Sequence, residues 1–90
     1  MLIFAMSATT FAAGGISVTA QGRTVKVEVK ENHVYNVIIQ TPTGRVEERR
    51  VMHNGTGPMI VEVPEGQDLI IVQGINLNTG EPERYEIRLE

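Results

Sequence analysis

Any chemistry in this chain must be built from few parts. It has two histidines, His33 and His53, one aspartate, Asp68, two serines, Ser7 and Ser17, and no cysteine. Without a thiol, disulfides, thiolate zinc sites and cysteine nucleophiles are excluded. His33 and His53 stand twenty residues apart beside turn signals, with no Asp, His or Cys at ligand spacing from either. Each reads as a solvated surface residue. Asp68 follows Pro64-Glu65-Gly66-Gln67 and reads as a turn cap. Ser7 lies in an uncharged apolar segment. Ser17 falls on the polar face of a strand, without the strained elbow that exposes a nucleophile. Glutamates interleave with Lys and Arg, the pattern of a solvated strand face with cross-strand ion pairs. A glycosidase needs two carboxylates across a sugar-sized cleft, and a domain this small has little room for one. No Asp-rich loop offers hard oxygen ligands to calcium. No catalytic, cofactor-binding or metal residue is assigned on these grounds, no cofactor is expected, and the chain is not expected to be an enzyme.

The elements that would position any site are strands. Apolar and polar residues alternate in short runs separated by Gly or Pro clusters, and a period of two buries one face of a strand. The runs are Ile16–Ala20, Thr24–Lys30, Val34–Thr41, Arg45–His53, Met59–Val63, Asp68–Leu77 and Arg84–Glu90. Val25, Val27 and Val29 alternate with Lys26, Glu28 and Lys30; Tyr85, Ile87 and Leu89 alternate with Arg84, Glu86, Arg88 and Glu90. Gln21-Gly22 marks a hairpin, Glu31-Asn32 a short connection, and Thr41–Gly44, Asn54–Pro58 and Asn78–Pro82 turns. Ile38 on the polar side of its run suggests a central strand. The most apolar run, Asp68–Leu77, suggests another, with Gly74 marking a bulge or a close backbone approach.

Glu47-Glu48-Arg49-Arg50 puts charge on both faces of the fourth run, the signature of an edge strand that resists pairing with other chains. Val46, Val51 and Met52 are its candidate apolar anchors, and their change of parity suggests a bulge. Seven runs at this spacing predict an all-β domain, an immunoglobulin-like seven-stranded antiparallel β-sandwich over residues 14–90, with a small β-barrel as the alternative. By analogy with such sandwiches, runs one, two and five share one sheet. Runs three, six and seven share the other, with run four at an edge.

Residues 1–13, MLIFAMSATTFAA, carry no charge. They read either as a truncated secretory signal peptide, cut near Ala12 but lacking the basic start, or as an extra N-terminal strand over Leu2–Thr10. Thirteen residues fall short of the roughly 20 a transmembrane helix needs. The net charge of −3 and pI near 5.3 argue against nucleic acid, which demands a basic face.

From Ile16 onward, the hairpin ISVTAQGRTVKVEV, the strand–turn–charged strand YNVIIQTPTGRVEERRV and the closing DLIIVQGINLNTGEPERYEIRL resemble small exported immunoglobulin-like proteins of unknown function from gut Bacteroidetes. The same layout occurs in C-terminal sorting domains of secreted Bacteroidetes proteins. The resemblance implies a secreted, periplasmic or cell-envelope address and brings no site residues. Were residues 1–13 not a signal remnant, the address would be cytoplasmic. The function expected is a non-catalytic exported β-sandwich acting as an interaction or structural module, binding a protein or cell-surface component. A pilin-like assembly subunit exchanging its N-terminal strand and a small protease inhibitor are the alternatives.

Overall fold

The computed structural model describes residues 8–11, 14–30 and 32–89. Among these there is no helix. The strands are β1 (Ala8–Phe11), β2 (Ile16–Gln21), β3 (Thr24–Val29), β4 (Tyr35–Gln40), β5 (Val46–Met52), β6 (Met59–Glu62), β7 (Leu69–Asn76) and β8 (Pro82–Arg88). They form two antiparallel four-stranded sheets, ordered β1-β2-β3-β6 and β5-β4-β7-β8. Among the described residues no ladder joins the sheets, so the domain is a sandwich rather than a closed barrel. The seven sandwich strands coincide with the seven runs. Their distribution between sheets is that of the immunoglobulin-like analogy. The expected N-terminal strand over Leu2–Thr10 lies mostly outside the described residues; Ala8–Phe11 is its described part. Glu31, in the expected Glu31-Asn32 connection, also lies outside them.

The core follows from alternation. Ile16, Val18 and Ala20 of β2 and Val25, Val27 and Val29 of β3 face Tyr35, Val37, Ile39, Ile70, Val72 and Ile87 of the opposite sheet. Burying each such aliphatic side chain stabilises the fold by roughly 1.5–3 kcal/mol. Gly22 closes the β2–β3 hairpin with a φ of 60°. The two-residue loop is thus Gly22-Arg23, one position beyond the expected Gln21-Gly22, with glycine where a type II′ turn requires it. Gly74 marks a close approach and no bulge: its ladders to β4 and β8 run unbroken, and a Cβ there would fall 2.7 Å from Ile16 Cδ1.

The bulge is on β5. Ile39 pairs with Glu48 and Gln40 with Val46, which leaves Glu47 as the extra residue. One expectation for β5 is corrected. Val46 and Val51 are 43% and 59% exposed, and only Met52 is buried. An edge strand opposes the core along one side only, so its apolar residues gain burial only where a facing sheet reaches over them. At β5 that coverage extends to Met52 alone.

Candidate functional site

The antiparallel register sorts the loops into two ends. Tyr35 pairs with both Met52 and Asn76. The connections before Tyr35, after Met52 and after Asn76 therefore share one end, which also holds Gly14-Gly15. The Gly22-Arg23 turn, Thr41–Arg45 and Val63–Asp68 share the other. The three turns read from the sequence are split between ends: Thr41–Gly44 at one, Asn54–Pro58 and Asn78–Pro82 at the other.

The histidine-bearing end is organised by a buried amide. Asn76 Oδ1 accepts the backbone N–H groups of Asn78 (2.9 Å) and Thr79 (3.1 Å). This fixes the amide orientation, because the reverse would face the NH2 group toward two donors. Nδ2 therefore donates to His33 Nδ1 (2.9 Å) and to Tyr35 Oη (3.2 Å). In this bond His33 Nδ1 is the acceptor. The expectation of a solvated His33 is corrected: it is half-buried and holds the β3–β4 connection to the β7–β8 turn. The pattern of the sequence could not reveal this, since the partner lies 43 residues away. His53 is exposed as expected. Its Nδ1 accepts the Gly55 N–H at 3.0 Å, and its backbone closes a turn with Thr56.

Asp68 sits at the opposite end. Eight residues of β7 at about 3.3 Å each separate it from His33 by about 25 Å. Its side chain is 73% exposed and caps no turn, lying 3.8 Å from Arg23 instead. Arg23 does the organising there. Its Nε donates to Val63 O (3.0 Å) and its terminal nitrogen to Pro64 O (2.6 Å) and Gln67 O. Three loop carbonyls are satisfied by one guanidinium, whose fork suits several acceptors at once. No motif announced it. Ser17, expected on a solvated face, is 7% exposed and pairs with Glu28 on β3. No described serine, histidine and carboxylate converge. Among the described residues no group of three or more His, Asp or Glu side chains could hold a metal ion.

The carboxylates serve the scaffold. Among the described residues, Lys26–Glu28 (3.3 Å), Arg45–Glu47 (3.7 Å) and Arg84–Glu86 (2.9 Å) pair between positions two apart in sequence. Lys26–Glu28 and Arg84–Glu86 are solvent-exposed, and pairs of that kind contribute roughly 0–1 kcal/mol each. Glu83 differs. Its carboxylate accepts the Gly15 N–H (3.0 Å) and the Tyr85 O–H (3.0 Å), bridging the two sheets where the chain enters β2.

What remains for recognition is the sheet faces and the strand edges, and the edges are not alike. β5 carries four consecutive charges and a bulge. β6 has four residues, bounded by Pro58 and Pro64. β8 starts at Pro82 and alternates charge. Each is a device against adventitious pairing. β2, ISVTAQ, has six residues, no charge, no proline and an unbroken register, and among the described residues its outer edge is covered by β1 alone. No helix among the described residues is long and apolar enough to cross a membrane. No protein-family model, no curated protein and no solved structure matches the chain.

Proposed function

We propose that this chain is a non-catalytic, exported β-sandwich that works as an interaction or structural module. The carrying observation is how its polar side chains are used. Asn76, His33, Arg23 and Glu83 all brace loops or join elements. The surface left to a partner consists of sheet faces and edges, the parts through which β-sandwiches join other chains. The export half of the reading rests on the uncharged apolar run MLIFAMSATTFAA and on the resemblance drawn from Ile16 onward.

The segment Ala8–Phe11 lies both in that run and on the edge of β2. Removed on export, it leaves the β2 edge bare; retained, it fills it. A protein or cell-surface component is the expected partner class.

The reading is tested by thermal denaturation against a panel of divalent metals, nucleotides and oligosaccharides. The midpoint is expected to stay within about 1 °C for all of them, since a ligand must exceed its Kd to stabilise the fold. A saturable rise with any one of them would replace the module reading with a ligand site. Fractionation of the native host tests the address, with the protein expected outside the cytoplasm.

A further inference from the structure

We propose that Asn54 is a self-modification site: the His53 ring is the base that helps convert the Asn54 side-chain amide, through a cyclic imide with the Gly55 backbone, to aspartate and isoaspartate. This site is independent of the module reading above.

The sequence supplies the reacting pair. The asparagines are Asn32, Asn36, Asn54, Asn76 and Asn78, and only Asn54 precedes a glycine. The backbone nitrogen of the next residue can close a five-membered ring on an asparagine Cγ. A side chain on that residue shields the nitrogen, and glycine has none.

The fold supplies the base. Asn54, Gly55 and Thr56 lie in the exposed connection between β5 and β6. His53 Nδ1 accepts the Gly55 N–H at 3.0 Å. The proton that the reaction must remove is therefore aimed at the imidazole lone pair, within the reach required of a general base. A Cβ at Gly55 would stand 3.0 Å from His53 Cε1 and 3.2 Å from Nδ1, so glycine also admits the ring.

The turn holds this arrangement and leaves the amide accessible. The Thr56 N–H (3.1 Å) and hydroxyl (2.8 Å) both donate to the His53 carbonyl. Asn54 is exposed, so its amide can rotate onto the Gly55 nitrogen without displacing a packed neighbour.

In the first step the Gly55 N–H gives its proton to His53 Nδ1 as the nitrogen attacks Asn54 Cγ. The N–Cγ bond forms, the Cγ–Nδ2 bond breaks, and the proton leaves with the amide nitrogen as ammonia. Water then opens the imide at either carbonyl, leaving aspartate or isoaspartate. The product is one charge more negative than the formal −3. Isoaspartate also adds a methylene to the main chain just beyond the buried Met52.

The test incubates the full chain at neutral pH and follows Asn54 by peptide mass spectrometry, with ion exchange reading the added charge. His53→Asn puts a carbonyl oxygen where Nδ1 was, an acceptor that is no base; His53→Ala removes both properties. His53 is exposed, so both variants should keep the thermal midpoint of the parent and the rates compare folded chains. The parent is expected to convert Asn54 on the order of tenfold faster than either variant, short of the ~10²–10⁴-fold of an enzymic base because the loop is open to water. The gap should close in denaturant, where no turn aims the ring. Three results would each overturn the proposal. They are conversion of His53→Asn at the rate of the parent, a gap that persists in denaturant, and a folded parent whose Asn54 converts no faster than its other asparagines.

Discussion

β2 and β5 are strands of similar length in opposite sheets, β5 at an edge and β2 flanked on its outer side by the four-residue β1, and they solve opposite problems. Along β2, Ile16, Ser17, Val18 and Ala20 are all buried; along β5 only Met52 is. β2 is fixed from inside and bland along its outer edge. β5 is loosely held from inside and heavily charged along its length. The difference teaches that edge protection here is placed where burial is thin. A strand gripped by the core gains little from charges on its rim, while a strand gripped at one residue would slip or pair elsewhere without them.

The largest break in that comparison comes from removing the single grip on β5. Met52→Ala is expected to cost about 2–5 kcal/mol, the range for buried Met to Ala. Chemical denaturation should give that loss, and amide exchange should show it concentrated in β5 and its partner β4. Val51→Ala, one residue away and exposed, should change stability by no more than about 0.5 kcal/mol. A comparable cost at both positions would mean that β5 is held along its length.

Next in size is the brace at the far end of β2. Arg23→Lys removes the fork that serves three carbonyls while keeping the charge near Asp68. A loss of about 1.5–3 kcal/mol is expected, close to that of Arg23→Ala, because hydrogen bonds to a charged donor are the strong ones. Asp68→Asn, on a mostly exposed side chain, should be nearly silent. If lysine rescues most of the loss, the guanidinium acts as a point charge and its forked contacts are not what matters.

Stripping the guards from β5 sharpens the comparison at small thermodynamic cost. Glu48→Thr with Arg50→Thr makes the charged edge resemble β2. Both residues are exposed, so folding stability should move by about 0.5 kcal/mol or less. Light scattering, however, should show association that rises with concentration and is absent from the parent at the same concentration.

Much of this contrast was legible in the sequence, and the reasons are local. Alternation with period two placed all seven sandwich strands, and Glu47-Glu48-Arg49-Arg50 marked β5 as an edge from charge alone. Val46 and Val51 misled, because hydrophobicity in a run says nothing about whether an opposing sheet reaches over it. The polar braces were not legible at all. Asn76 with His33, Arg23 with Val63, and Glu83 with Gly15 join residues 40 or more positions apart, and no spacing rule connects them. The β2 edge was hidden for a different reason: its distinguishing feature is the lack of charge and proline, which stands out only beside three edges that have them.

The smallest effect probes the β2 edge itself. Thr10 and Thr19 are directly opposed, so Thr10→Glu/Thr19→Glu sets like charges across the β1–β2 ladder and Thr10→Lys/Thr19→Glu sets opposite ones. Cross-strand charge pairs shift stability by about 0.2–1 kcal/mol. Amide protection along β2 should therefore fall by a factor of about 1.4–5 in the first variant and rise by a similar factor in the second, from the same energy. Opposite shifts in the two variants would show that the Thr10–Thr19 pairing holds the outer side of β2; equal protection in both would show that the ladder adds nothing to it.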